Sequence, residues 1–254
     1  MLEVGDVAVS FGGVHAVRGV SFQADGRHIT SVVGPNGAGK TTLFNIITGF
    51  QAPDKGQVRF AGTDVIGLVP SRIAALGLVR TFQKTEVFKG LTVARAVEIG
   101  TACGRPFPLW RTLWPGAIGA ARGQAERETA AILKACGLEA VADKACAALS
   151  YGEQRILEIA LALAARPRLL MLDEPASGLN PTEARQLGDL INKIRADGVG
   201  IVLIEHNMQL VMRISDRIVV LHHGEKIAEG APDAIARDQR VIEAYLGGDG
   251  FAAA

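Results

Sequence analysis

Cysteine is scarce in this sequence, and neither sign of charge dominates. The three cysteines, at 103, 136 and 146, form no CxxC pair. That spacing argues against a structural metal site and fits reduced thiols in a cytosolic chain. The 27 basic and 26 acidic residues nearly cancel, so no electrostatic footprint marks nucleic acid or an anionic membrane as a main partner. No run of about 18 uncharged apolar residues is present, which excludes a membrane-spanning helix. The first residues include Glu3 and Asp6 and lack a long apolar core, so no signal peptide is expected. Internal repeats and low-complexity tracts are also missing. What remains is a chain of 254 residues, enough for one large domain or two small ones around a substantial core. Its mean hydropathy of +0.23 is high and has two readings: apolar surface reserved for partner subunits, or a core rich in leucine and alanine.

The first third reads as β-rich. Short apolar or alternating runs at Val7–Phe11, Val17–Phe22, Ile29–Val33 and Gln57–Phe60 are separated by Gly, Asp and Pro. From Thr92 to Ala165 the periodicity turns helical, over Val93–Gly100, Ala117–Cys136 and Gly152–Ala165. The last of these helices should stop ahead of Arg166-Pro167, because proline disfavours α geometry in the residue before it. Leu169–Leu172 and Val199–Ile204 are continuous apolar runs, as in strands of a parallel sheet covered on both faces. Between them Thr182–Ala196 has helical spacing, with Leu187, Leu190, Ile191 and Ile194 on one side. Ile218–Leu221 and Lys226–Ala228 read as a β-hairpin. The expected architecture is α/β: a nucleotide-binding core with a mainly parallel sheet, an antiparallel β portion before it, and a helical portion inserted between residues 42 and 169.

Residues Gly34, Pro35, Asn36, Gly37, Ala38, Gly39, Lys40, Thr41 and Thr42 follow the apolar run Ile29–Val33. This is the strand–GxxxxGK[ST]–helix pattern of a phosphate-binding loop. Glycine lets consecutive backbone N–H groups turn inward into a nest for anionic oxygens. The helix opening at Lys40 adds the positive end of its dipole. Lys40 offers a point charge to the β- and γ-phosphates, and the Thr41 hydroxyl suits Mg²⁺. The pattern predicts binding of a nucleoside triphosphate.

Leu169–Pro175 reads L-L-M-L-D-E-P, a buried strand ending in two carboxylates. The carboxyl end of a parallel strand is where α/β sheets place ligands. Asp173 is therefore the candidate Mg²⁺ ligand, and Glu174 the candidate base that polarises an attacking water. Leu149–Arg155 reads L-S-Y-G-E-Q-R, in which Ser150 and Glu153 have capping-box spacing. A capped helix start is also a place where phosphate binds, so a structural and a functional role are compatible there.

Taken together, these motifs and their order resemble ATP-binding-cassette (ABC) ATPases over nearly the whole chain. The resemblance implies a P-loop NTPase core with an N-terminal antiparallel β subdomain and an inserted α-helical subdomain. On this reading 1–87 and 166–235 form the core, 88–165 the helical subdomain and 236–254 a C-terminal tail of a single ABC domain. It further implies that Ser150, Tyr151, Gly152, Glu153 and Gln154, in place of the usual LSGGQ, act on ATP bound to the opposite subunit of a head-to-tail dimer. Gln83 matches the Q-loop glutamine that touches Mg²⁺ and the lytic water, and His206 the switch histidine at the γ-phosphate. Phe11 matches the aromatic that stacks on adenine, with burial in the core as its competing account. Ser177-Gly178-Leu179-Asn180 matches the D-loop, with Asn180 where Asp is usual. The implied cofactors are ATP and Mg²⁺.

Four stretches resemble one branch, the ATPases of branched-chain amino acid and related amide importers: L-V-R-T-F-Q at 78–83, L-S-Y-G-E-Q-R at 149–155, I-E-H-N-M at 204–208 and V-I-E-A-Y-L-G at 241–247. The chain is most similar to the larger of the two ATPases in such systems, which carries extra sequence after the Q-loop, here Gly104–Gly116 with Trp110 and Trp114. The implied partners are two transmembrane permease subunits, a second copy or a second ATPase, and indirectly a periplasmic or extracellular solute-binding protein, with no nucleic acid. The implied location is peripheral, on the cytoplasmic face of the cell membrane. Two alternatives stand beside this reading. A lipopolysaccharide-export ATPase would lack the 104–116 segment and this tail. A non-transport ABC ATPase of the chromosome type would place long coiled coil between phosphate loop and signature, whereas Gly39 and Ser150 are only about 110 positions apart; ribosome-type members carry two cassettes in one chain.

Overall fold

Alternation of apolar and polar residues makes an antiparallel sheet of the N-terminal region. In the computed structural model, which describes residues 1–81, 90–103 and 117–246, β1 (Leu2–Phe11) and β2 (Val14–Ala24) pair antiparallel. Together with β4 (Lys55–Phe60) and β5 (Thr63–Asp64) they form a sheet of order β2-β1-β4-β5. The strands start earlier than the sequence runs suggest. Along β1 the buried residues are Leu2 and Val4, then Val7 and Val9. The switch from even to odd positions is accommodated by a register shift between Val4 and Val7, where Asp6 has φ +49°. A bulge there keeps one face in the core across a break in the two-residue period.

The continuous apolar runs become buried parallel strands. β3 (Ile29–Val33), β7 (Leu169–Asp173) and β8 (Gly200–Ile204) are buried at every residue. They join β6 (Leu78–Arg80), β9 (Arg217–His222) and β10 (Glu225–Gly230) in the order β10-β9-β3-β8-β7-β6. All neighbours are parallel except the β9–β10 hairpin. The carboxyl ends of β3, β7 and β8 therefore share one edge, the edge at which such sheets bind ligands. β6 was not anticipated, because three residues are too few to show a period.

The chain divides into two compact units, Met1–Arg80 with Arg168–Ser177 and Ala184–Ala254, and Thr81–Pro167 with Gly178–Glu183. The first contains both sheets. Its main core joins β1 and β2 to β3, β7 and β8 through Leu43, Phe44, Ile46 and Ile47 of α1 (Lys40–Ile47). Short helices α2 (Pro70–Ala75), α7 (Met208–Ile214) and α8 (Pro232–Ile235) complete it, with α9 (Gln239–Leu246) at the C-terminal end of the described chain. Val241 and Tyr245 of α9 pack with Val33, Met208, Val211 and Val220, so the tail's apolar face lies on this unit's own core.

The second unit is built from α3 (Val93–Cys103), α4 (Ala117–Cys136) and α5 (Tyr151–Ala164). Gly100 lets α3 approach α5 closely, since a Cβ there would stand 2.9 Å from the Ala164 methyl. α5 ends ahead of Arg166-Pro167, as the proline predicts, with Arg166 at φ +55°. In the first unit, α6 (Pro181–Ala196) buries Leu187, Leu190, Ile191 and Ile194, the stripe read from the sequence. Among the described residues no helix is long and apolar enough to cross a membrane.

Candidate nucleotide site

The loop between β3 and α1 has the backbone that its glycines predict. Gly37 and Gly39 are left-handed, at φ +79° and +96°, and Gly34 has φ +151°. At Gly39 a Cβ would stand 2.3 Å from the Ala16 carbonyl oxygen, and at Gly34 only 2.1 Å from that of Leu221. Strands β2 and β9 thus press directly on the loop. The β9–β10 turn adds a further support. Gly224 N–H donates to Ala38 O at 3.2 Å, and Arg18 N–H donates to Gly224 O at 2.8 Å. His223 lies in that turn at φ +49°, and His222 is the last residue of β9.

Lys40 is 7% exposed. Its Nζ donates to the carbonyls of Gly34 at 2.7 Å and Pro35 at 2.9 Å. Burial pulls its ammonium below the ordinary lysine value, while the charges of Glu174 and Asp173 push back. Phosphate oxygens in the nest offer this ammonium a charged acceptor in exchange for neutral ones, and charge-assisted hydrogen bonds are the stronger kind.

Asp173 closes β7, and Glu174 follows it at φ +49°, with its N–H donating to Ile204 O at 2.9 Å. A left-handed glutamate is strained and persists only where its surroundings hold it. Its Oε1 lies 3.6 Å from His206 Nδ1. The two side chains proposed for water activation and γ-phosphate contact therefore meet at the same sheet edge. β8 ends at Ile204, and His206 lies two residues beyond it.

Two residues in this region escaped the sequence reading. Arg80, from β6, donates to Asp173 Oδ2 at 2.7 Å, to Asn45 Oδ1 at 2.7 Å and to Thr48 Oγ1 at 3.3 Å. Glu205 is fully buried. Its Oε1 accepts from Ala176 N–H at 2.7 Å, and its Oε2 from His206 N–H at 3.0 Å and Asn207 N–H at 3.1 Å. The only sign of Glu205 in the sequence is a carboxylate between an apolar strand and a histidine.

Magnesium prefers hard oxygen ligands and keeps several waters. The Thr41 hydroxyl in the first turn of α1 and the Asp173 carboxylate are donors of that kind. Among the described residues no cluster of three or more His, Cys, Asp or Glu could hold an ion alone. The two oxygen donors, Thr41 and Asp173, suit an ion that takes its other ligands from phosphate and water. Phe11 is 48% exposed, at the tip of the β1–β2 hairpin beside Gly12 and Gly13. That exposure excludes a core role and leaves its face open for stacking.

In the second unit, Ser150 caps α5. Its Oγ accepts from Glu153 N–H at 3.3 Å, and the Glu153 carboxylate accepts from Ser150 N–H at 2.7 Å, the reciprocal capping box read from the sequence. The Ser150 backbone N–H bond is the largest influence holding the Glu153 carboxyl below its usual range. Gln154 Nε2 donates to Leu149 O at 3.0 Å. A Cβ at Gly152 would stand 3.0 Å from Glu183 Oε1, a tight contact that a shift of the flexible glutamate would relieve. Tyr151 is half-exposed, and its hydroxyl accepts from Arg155 Nη2 at 2.6 Å. Asn180 Oδ1 accepts from the N–H groups of Thr182 and Glu183 at 2.9 and 3.0 Å, while Glu183 returns a bond to Asn180 N–H at 2.9 Å. As a helix cap, Asn180 therefore substitutes for aspartate without loss. Gln83 and the segment 104–116 with both tryptophans lie outside the described residues.

Comparison with known proteins points to one family. Residues 17–177 match the family model described as ABC transporter, and residues 225–250 match one described as branched-chain amino acid ATP-binding cassette transporter. The chain is 42% identical over 249 residues to the high-affinity branched-chain amino acid transport ATP-binding protein BraF of Pseudomonas aeruginosa, covering 97% of this chain and 98% of that one. It is 40% identical to the corresponding LivG protein of Escherichia coli K12, with the same coverage. Among solved structures, the ADP conformation of an ATP-binding cassette of an ABC transporter superposes with a TM-score of 0.84 at 31% identity, covering 97% of this chain and 98% of that one. A nucleotide-free cassette superposes with a TM-score of 0.83 at 31% identity, covering 96% and 98%.

Proposed function

The chain belongs to the ABC transporter family, and from that premise we propose that it is the ATP-hydrolysing subunit of an importer for branched-chain amino acids or related amides and small acids. The observation that carries the catalytic part is the meeting of Glu174 and His206 at 3.6 Å, on the sheet edge where the phosphate loop also opens. The identity to BraF and LivG supports the solute class. The nest of residues 34–42 and Lys40 hold the phosphates, and Phe11 stacks on the base. Glu174 takes the proton of the attacking water, while His206 and Gln83 contact the γ-phosphate and the water. Thr41, Asp173 and Gln83 would hold Mg²⁺, which would supply neutralisation of the phosphate charge. Ser150 through Gln154 complete the site of a second cassette, which is either another copy or a partner ATPase. ATP then has higher affinity for the closed pair, and that difference moves the attached permeases. The subunit works as a peripheral protein on the cytoplasmic face, beneath two permeases and, indirectly, a solute-binding protein.

The test is reconstitution with the permeases and a loaded binding protein. ATP-dependent uptake of leucine, isoleucine or valine is expected. Glu174→Gln should retain ATP binding and lose both turnover and uptake, because it removes the base and leaves the cradle intact. Hydrolysis near the wild-type rate in that variant would overturn the base assignment. Uptake confined to unrelated solutes would overturn the solute class.

A further inference from the structure

We propose that Glu205 is a positioning residue for ATP hydrolysis, whose buried carboxylate clamps the segment carrying Glu174 to the segment carrying His206. The inference rests on the roles just given to those two side chains. Glu205 is 0% exposed, and a buried carboxylate is costly unless hydrogen bonds compensate it. Three backbone N–H groups do so, and they come from two stretches of chain far apart in sequence. Ala176, two residues after Glu174, donates to Oε1; His206 and Asn207 donate to Oε2. Each oxygen serves a different segment, so the rigid carboxylate plane sets their separation.

Glu174 is held at φ +49° from both sides. On one side its own N–H bonds to Ile204 O at 2.9 Å, and on the other Glu205 anchors Ala176. Releasing Ala176 frees the strained residue to relax and changes the 3.6 Å approach of Glu174 to His206. None of the three bonds reaches the phosphate loop. The clamp therefore acts on the chemical step and leaves nucleotide affinity to Lys40 and the nest. A buried acid that merely filled space would affect folding, binding and turnover together.

The discriminating variant is Glu205→Gln in the full-length chain. Its shape is conserved, but the carboxamide has one acceptor oxygen, so its NH₂ faces either Ala176 N–H or the His206–Asn207 pair. We expect kcat for ATP to fall about tenfold to a hundredfold, the range for a small misplacement of reacting groups. KM for ATP should stay within about threefold of wild type. Amide hydrogen exchange should quicken at Ala176, His206 and Asn207 while the interior of β3 and β8 keeps its protection. Glu205→Asp keeps both oxygens on a stem one methylene shorter, and should give an intermediate kcat with KM unchanged. Unchanged kcat in either variant overturns the clamp. So does a loss in which kcat, KM and protection of β3 and β8 fail together, since that is a folding role. A wild-type chain without ATP hydrolysis would instead overturn the ATPase assignment on which the clamp depends, an outcome distinct from an active wild type with an indifferent Glu205.

Discussion

Replacing Arg80 with methionine probes the ion pair under the proposed metal ligand. Arg80 and Asp173 side chains are 11% and 4% exposed, with Nη2 and Oδ2 2.7 Å apart. The guanidinium also bonds Asn45 and Thr48 and lies 5.8 Å from the centroid of the Phe44 ring. Methionine keeps most of the aliphatic stem, so the packing loss is small. What goes is the ion-paired bond to Asp173, about 1.5–3 kcal/mol, together with the guanidinium's two bonds to the neutral oxygens of Asn45 and Thr48. Asp173 also loses its buried cation, and breaking such a pair from one side typically costs about 3–5 kcal/mol in all. An exposed pair of the same length would be worth about 0–1 kcal/mol. Burial thus decides the size, and we expect about 3–4 kcal/mol of destabilisation.

The assay is urea unfolding, read as a fall in midpoint with an unchanged slope. Asp173→Asn and the double variant complete a cycle. Asp173→Asn should cost less in the Arg80→Met background, with a coupling of at least about 1 kcal/mol. A loss below about 1 kcal/mol for Arg80→Met, or additive single changes, would refute the claim that this pair is energetically buried.

Gly39→Ala should abolish ATP binding in calorimetry and lower thermal stability, because a Cβ at φ +96° meets the Ala16 carbonyl at 2.3 Å; retained binding would refute the tightness of the loop. Mixing Ser150→Arg chains with Lys40→Ala chains should restore hydrolysis that neither has alone, since one mixed pair holds an intact Lys40 opposite an intact Ser150. Mixed dimers that form and stay inactive would count against a signature acting across subunits. Tyr245, pushed up to about 12 chiefly by burial, with a backbone bond from Gly34 opposing, should make stability fall at alkaline pH. The unfolded phenol ionises near 10, so its contribution is complete below that pH and is lost as pH rises to about 12, by about 3 kcal/mol at most. Tyr245→Phe should flatten this decline in urea midpoints between pH 9 and 11, and an unchanged slope would exclude Tyr245 as its source.

Local chemistry made the phosphate loop, the α5 capping box and the three buried strands readable from the sequence. In each, the determining residues lie within about ten positions, so spacing alone carries the geometry. Arg80 and Asp173 are 93 positions apart and meet only because β6 and β7 pair in parallel. No periodicity announces such a contact. The support of the loop by Ala16, Leu221 and Gly224 was hidden for the same reason: it arises when β2 and β9 converge on β3's end. Helices α2 and α7 were missed because six and seven residues give fewer than two turns of amphipathic pattern. The bulge at Asp6 concealed the start of β1 by breaking the alternation from which a strand is recognised.

The charges at the sheet edge divide into those committed to the fold and those available to a ligand. Arg80 is engaged with Asp173, and the Glu205 carboxylate with three backbone N–H groups. Lys40 rests instead on the carbonyls of Gly34 and Pro35, which are neutral. A phosphate therefore competes with weak acceptors for Lys40, whereas drawing Arg80 away would break a buried ion pair. The difference also explains why the two cations are not interchangeable. A compact ammonium can pivot from two adjacent carbonyls to phosphate oxygens within the same nest, while a planar guanidinium matches a fixed carboxylate. The sequence assigns lysine to the position where the charge must change partners and arginine to the position where it must not.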